Sequence, residues 1–357
     1  MDNTRLTEII RYFQNELLLN VDDYVDISYN KWIIKNKDLQ YLCEPFHISN
    51  LDDKVTDEYI PISDEIQFET FSPNDLIEKF DHNCELKLLN WLIDDDEHKE
   101  KLLKAPGIKL DRHSDISPYK FNYVSISNNE PPNTINNYIN ASFIHGPFKN
   151  EDHNLFIATQ GPLTQTVTAF WKMILYHKIH LIIMLANLNE IGITKSAEYW
   201  PTKVNKVKDI DKSISIELIS EEDYYESYAL IRKFKINKTF EIVQIHVTSW
   251  PDHEYPDNNK VIDKLIETCD ENRKMYSDSP IVVHCSAGVG RTGTFIAIYN
   301  IIKCLKVEKE MGVLPLFNVF NVVRKLREMR FMLVRSELQY KYIYNYCYEW
   351  IINNYFN

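Results

Sequence analysis

Glycine is scarce in this chain, with 8 in 357 residues, and no short repeat or Gly/Ser-rich tract runs through it. That excludes a fibrous or low-complexity polymer, and 44% hydrophobic, 13% aromatic and 26% charged residues make a globular composition. Basic charge is in deficit. The 40 Lys and Arg against 52 Asp and Glu give −12, the wrong sign for a protein that neutralises nucleic-acid phosphates. The six cysteines (Cys43, Cys84, Cys269, Cys285, Cys304, Cys347) form no CxxC pair, so no zinc cage, disulfide framework or cofactor is expected. Long apolar runs are missing as well. None reaches the length of a membrane span, and the opening Met-Asp-Asn-Thr has no basic n-region. A reducing, cytoplasmic setting without membrane insertion is the expectation, with nuclear access left open.

What charge there is lies unevenly. Residues 1 to 100 carry 24 acids and 9 bases, giving −15, while the remainder carries 28 acids and 31 bases, giving +3. The front is therefore read as an acidic extension, residues 1–72, partly helical, ahead of one globular domain over residues 73–357. Leu6, Ile9, Ile10, Phe13 and Leu17 recur at helical spacing, and Arg5, Glu8, Arg11 and Glu16 cancel on the polar face, which favours packing over membrane docking. The extension reads either as a solvated, packing segment or as an acidic flap beside the +3 region that modulates entry of acidic peptides. Asp94-Asp95-Asp96-Glu97 reads as a solvated turn and not a metal site.

From residue 138 strand and helix patterns alternate. Strands are expected at 138–144, 155–158, 181–186, 239–250 and 281–284, and helices at 166–177, 260–276, from Arg291, at 317–330 and at 336–352. The last contains Tyr340, Tyr342, Tyr344, Tyr346 and Tyr348, whose period of two suggests a strand; it is read as helix. The rhythm is α/β: a twisted mixed sheet flanked by helices on both faces.

One segment combines a strand, a cysteine and a helix start: His284-Cys285-Ser286-Ala287-Gly288-Val289-Gly290-Arg291-Thr292. Successive backbone N–H groups there turn inward as a nest, and the helix that follows aims its positive end at the same point. Arg291 adds a planar fork matched to two phosphate oxygens. The same field stabilises a thiolate at Cys285 and makes it a nucleophile. A buried structural cysteine is the plain alternative. Gly288-Val-Gly290-Arg-Thr-Gly293 also fits the dinucleotide pattern G-x-G-x-x-G, but no acidic residue ends a following strand and too little chain remains for the rest of such a sheet.

At this loop the sequence resembles the cysteine-dependent protein tyrosine phosphatases, of the non-receptor, phosphotyrosine-specific kind, and the likeness extends over residues 105 to 350. Asn137 to Ile144 resembles that family's core strand, and Phe156 to Leu163 with Phe170-Trp171 its next strand and helix. Glu190 to Pro201, with Lys195 and Tyr199-Trp-Pro201, resembles its substrate-side hairpin, and Trp250-Pro-Asp252 its acid loop. The resemblance implies the phosphatase fold and hydrolysis of phosphotyrosine in proteins through a phosphocysteine, without metal. Cys285 attacks phosphorus while Arg291 and the amides of Ser286, Ala287, Gly288, Val289 and Gly290 hold the phosphate. Asp252 protonates the leaving phenolate and later activates water, which Gln339 positions. Thr292 stabilises the thiolate, His284 orients the loop, and Glu190, Lys195, His113 and Asp115 serve substrate binding. Tyrosine-phosphorylated proteins are the expected partners; oligomeric state is unassigned.

Three departures from the family pattern bear on chemistry. His113 stands where the family has Tyr, which makes a smaller pocket wall and narrows selectivity over phosphoserine. Glu254 stands where the family has Gly, at a hinge of the acid loop. Arg335 stands where the family has Gln, in the segment that assists hydrolysis of the intermediate. Together they favour, as the competing reading, a phosphotyrosine-binding module that turns over poorly; a dual-specificity phosphatase is the third, opposed by the recognition-loop likeness around Arg112.

Overall fold

The computed structural model describes residues 110–113, 116–119, 122–127, 137–147, 155–312 and 319–354. The acidic extension, the helix over 4–19, the turn at Asp94 and Asp115 lie outside the described residues. Ten strands are present among them: β1 (Ala141–Ile144), β2 (Phe156–Thr159), β3 (Leu181–Met184), β4 (Asn189–Glu190), β5 (Ile193–Thr194), β6 (Lys206–Asp209), β7 (Ser215–Tyr225), β8 (Ala229–Ile236), β9 (Phe240–Val247) and β10 (Ile281–His284). The helices are α1 (Val167–Tyr176), α2 (Asn259–Met275), α3 (Gly290–Met311), α4 (Val319–Met329) and α5 (Glu337–Asn354).

Eight strands form one mixed sheet in the order β1-β2-β10-β3-β9-β8-β7-β6, and β4 pairs with β5 as a separate hairpin. β2, β10, β3 and β9 run parallel, and the outer neighbours are antiparallel. Parallel strands covered on both faces must be apolar throughout, and Leu-Ile-Ile-Met of β3 and Ile-Val-Val of β10 are fully buried. Their side chains alternate between two cores. Ile281 and Val283 pack with Leu265, Phe295 and Tyr340 of α2, α3 and α5, whereas Val282 packs with Phe170 and Trp171 of α1 on the opposite face.

This topology positions the site. Because β2, β10, β3 and β9 share one direction, the segments leaving Thr159, His284, Met184 and Val247 emerge at the same sheet edge. Those segments carry Gly161, Cys285, the Glu190–Lys195 hairpin and Asp252.

Strands over 206–236 went unread in the sequence. Glu221, Glu222 and Asp223 interrupt the apolar alternation of β7 where it is exposed, although Ile214, Ile216 and Leu218 keep it at the buried end. The tyrosine alternation is helical, as expected, because α5 is buried on more than one face. Tyr340 and Tyr344 meet edge to face, while Tyr342 and Tyr346 pair one turn apart and Tyr342 lies against Trp250.

Candidate active site

Cys285 follows the last residue of β10 and is 4% exposed. Thr292 Oγ1, on the first turn of α3, donates to its Sγ at 3.3 Å. Between them the loop turns its carbonyls outward. Ser286 O accepts from Gly161 N at 2.8 Å, Ala287 O and Gly288 O accept from the Arg330 guanidinium at 3.1 and 2.9 Å, and Val289 O accepts from Val334 N at 3.1 Å. A backbone so held presents its N–H groups to the other side, toward the cysteine. Arg330 is itself fixed by Asn140 Oδ1 and Ser142 Oγ, and burial pushes its pKa down to about 10. Gly288 has φ of 72°, and a Cβ there would stand 2.1 Å from Thr159 O. The loop requires glycine at that position.

Arg291 points back under the loop with its side chain fully buried. Glu190 accepts from both terminal nitrogens, at 2.7 and 3.0 Å, Trp250 O accepts from Nη1 at 2.7 Å, and Asp252 Oδ1 accepts from Nη2 at 3.1 Å. Burial lowers the Arg291 pKa, and the Glu190 bond with the surrounding charges outweighs it, so the net shift is upward. Its Nε, also buried, has no acceptor among the described residues. A buried guanidinium donor left unmet beside a nest of amides suits an oxyanion.

The acid loop lies over this group. Asp252 Oδ2 accepts from Lys195 Nζ at 2.6 Å, and Ser336 Oγ, at the entry to α5, donates to His253 O at 2.7 Å. Burial raises the Asp252 pKa, but the Lys195 bond and the Arg291 and His253 charges together bring it below the ordinary value. The left-handed residue of the loop is His253, at φ of 61°, and Glu254 has no such conformation. Glu254 therefore fits this loop conformation without glycine's freedom, and its carbonyl accepts from Trp250 Nε1 at 2.8 Å.

Gln339 is buried, and its Oε1 accepts from Arg335 N and Ser336 N at 3.2 and 3.3 Å. Its amide covers Gly290, where a Cβ would meet Oε1 at 3.0 Å. Arg112 donates to the carbonyls of Gly161, Pro162 and Thr194 and so ties the recognition segment to the β4–β5 hairpin, while His113 is exposed beside it. Gly161 sits where three segments meet: a Cβ would lie 2.6 Å from both Cys285 O and Lys195 O. The residues picked from the sequence thus come together, apart from Asp115, which lies outside the described residues. Gln244 and Arg232, which connect to His284 through Tyr199, were missed; buried polar residues at inward positions of β8 and β9 were the available signal.

A family model described as protein-tyrosine phosphatase matches residues 108–349. The chain belongs to the protein-tyrosine phosphatase family. Among curated relatives of this family, human receptor-type tyrosine-protein phosphatase alpha is 37% identical over 285 residues, covering 78% of this chain and 33% of that one. Human receptor-type tyrosine-protein phosphatase eta is 34% identical over 291 residues, covering 79% and 20%. The chain spans a fifth to a third of the length of these curated relatives. Both are named receptor-type, whereas the motif resemblance pointed to the non-receptor kind. Among the described residues no helix is long and apolar enough to cross a membrane. A solved phosphatase structure, "Structural basis of PTPN18 fingerprint on distinct HER2 tyrosine phosphorylation sites", aligns with TM-score 0.61 and 27% identity over 69% of this chain and 83% of that one. A second, of PTPN18 with HER2-pY1248 phosphopeptides, has the same fold at TM-score 0.60 and 24% identity, over 76% and 96%.

Proposed function

We propose that this protein hydrolyses phosphotyrosine in proteins, residues 73–357 forming the catalytic domain. The observation that carries the reading is the buried Nε of Arg291, unmet among the described residues beside Cys285 and its loop. A phosphate dianion supplies its acceptor and places phosphorus in line with Sγ. Cys285 forms the S–P bond as the P–O bond to the phenol breaks, and Asp252 gives its proton to the leaving oxygen. Water then attacks the phosphocysteine, Asp252 accepts its proton, Gln339 orients it and Thr292 meets the departing thiolate.

Asp252 is paired with Lys195 and Arg291, and its lowered pKa leaves it without a proton at neutral pH. An arriving dianion competes for Arg291 and repels the carboxylate, and both effects favour the protonated acid that the first step needs. The PTPN18 structure concerns tyrosine phosphorylation sites of a protein, which supports tyrosine-phosphorylated proteins as substrates here. A catalytic thiol needs reducing surroundings, so the cytoplasm is its expected place.

The test is phosphate release from matched phosphotyrosine and phosphothreonine peptides, with Cys285→Ser and Asp252→Ala alongside. Turnover of the phosphotyrosine peptide, abolished by the first change and greatly slowed by the second, supports the reading. Turnover of both peptides makes the enzyme broad in specificity. Tight binding with a single burst makes it a phosphotyrosine reader.

A further inference from the structure

Behind the nucleophile loop a line of buried polar groups crosses the sheet, and each link has a fixed direction. Arg232 on β8 is 5% exposed and lies over the Trp200 ring, 4.6 Å from its centroid. Its Nε donates to Glu221 Oε2 at 2.5 Å, which supplies the counter-charge. A guanidinium can only donate. Nη1 therefore donates to Gln244 Oε1 at 2.9 Å, and this fixes which end of that amide is oxygen. Gln244 Nε2 then donates to the Tyr199 hydroxyl at 2.6 Å.

With its oxygen accepting, Tyr199 has one hydrogen to place. His284 Nε2 stands at 2.9 Å, and the competing Met184 sulfur, a weak acceptor, at 3.9 Å. The hydroxyl donates to Nε2, so the proton of the neutral ring sits on Nδ1, which donates to Cys285 O at 3.2 Å. Burial pushes the His284 pKa down to about 4, consistent with a neutral ring. The same Nη1 also faces His246 Nδ1 at 3.1 Å, which leaves His246 Nε2 to donate to Ala186 O at 2.9 Å.

We propose that Arg232 and Gln244 are positioning residues: through Tyr199 they set the Nδ1–H tautomer of His284 and thereby hold the carbonyl of Cys285. Arg232 acts as the fixed source of donor direction. Nothing in the line touches substrate. The kinetic consequence rests on Cys285 being the nucleophile, as proposed above; the tautomer does not.

Gln244→Glu is the informative change, because it keeps shape and reverses polarity. A carboxylate between Arg232 and Tyr199 accepts from both, so the Tyr199 hydroxyl turns away from His284, and Nε2 of the imidazole must donate to the tyrosine oxygen. Imidazole 15N spectra of the full chain, with His284 assigned by its loss in His284→Asn, read this directly. The parent should show protonated Nδ1 and bare Nε2, and Gln244→Glu the reverse. A parent spectrum with the proton on Nε2 overturns the proposal on its own, even if the variant fails to fold. So does a folded Gln244→Glu variant with the parent tautomer. On an aryl phosphate, kcat should fall about tenfold or more with KM little changed, as for loss of a ligand-orienting partner. A tautomer switch without loss of kcat removes the catalytic half of the proposal, and a parent with no turnover at all overturns the phosphatase reading while the spectra still decide the relay.

Discussion

Glu190 grips Arg291 through both carboxylate oxygens, at 2.7 and 3.0 Å, on a guanidinium that is fully buried. The contact joins the tip of β4 to the first turn of α3, across 101 positions of sequence, and it engages both terminal nitrogens of the Arg291 fork.

Removing one partner of such a pair leaves a charge buried without compensation, which costs about 3–5 kcal/mol; Asp252 remains beside Arg291, so Glu190→Gln should cost an amount near the lower end. Urea unfolding at pH 7 measures it. Inorganic phosphate should raise the midpoint more in the variant than in the parent, because the anion replaces the missing charge. Equal midpoints for the two proteins without phosphate would rule out Glu190 as the main counter-charge.

Lys195 and Asp252 form the second pair of the site, 2.6 Å apart. The Asp252 pKa is lowered in the fold, so its pairing contributes stability that is complete above the unfolded carboxylate value near 4 and is lost as pH falls through the folded value. Lys195→Met should therefore be less stable than the parent at pH 7, by on the order of 1 kcal/mol for a partly exposed pair. The difference should close once the pH has fallen below the lowered folded value of Asp252. A difference independent of pH would assign the Lys195 effect to packing of its stem.

Two buried histidines act on stability in a different window. His284 and His246 are pushed down to about 4 and about 3, the first by burial, the second by burial and the Arg232 charge. In the unfolded chain both bind protons near pH 6.5. Between about pH 4 and 6 the unfolded state then holds about two more protons than the fold, and stability rises with pH at up to about 2.7 kcal/mol per unit. Unfolding free energy measured at pH 5 and pH 6 gives the slope. His246→Phe should lower it by about one proton, and a flat profile would show that these rings titrate normally.

The grouping of this site's residues was legible in the sequence because they are concentrated in short segments. Cys285, Arg291 and Thr292 lie within eight positions, and with the apolar strand before them and the helix after them they point to a nest at a helix start. The parallel strands were legible too, since β3 and the first three residues of β10 are apolar runs. β6 to β8 were not, because their outer ends are solvated and charged. The links that hold the site span 42 positions for Arg330 to Gly288 and 85 for Tyr199 to His284. No local pattern encodes such contacts; only the strand order brings β8 and β9 behind the loop.

Gly288 and Gly290 should separate fold from chemistry. Gly288→Ala places a methyl 2.1 Å from Thr159 O at a φ of 72°, against backbone that cannot yield, so loss of both stability and activity is expected. Gly290→Ala meets only the Gln339 amide, at 3.0 Å, the end of a side chain that can shift. Stability should hold there while hydrolysis of the intermediate slows. Unfolding midpoints and single-turnover rates distinguish the two, and equal destabilisation by both would argue against a movable Gln339.

Arg335 occupies the position where the family pattern has glutamine, four residues before Gln339, and its backbone N–H is one of two that hold the Gln339 oxygen. In the mechanism proposed above, with that oxygen engaged the Gln339 amide N–H groups are left for the attacking water, and a cationic neighbour in place of a neutral amide gives this step one positioning group fewer. The first step does not use Arg335. Arg335→Gln should therefore speed breakdown of phosphocysteine by about tenfold, or 1.4 kcal/mol of barrier, with its formation unchanged. Rapid-quench kinetics on an aryl phosphate separate the steps: the parent should release a burst of phenol equal to the enzyme before a slower steady state, and the burst should shrink in the variant as the second step overtakes. An unchanged burst and steady rate would mean that Gln339 alone governs the water, and that the arginine at 335 is silent in the reaction.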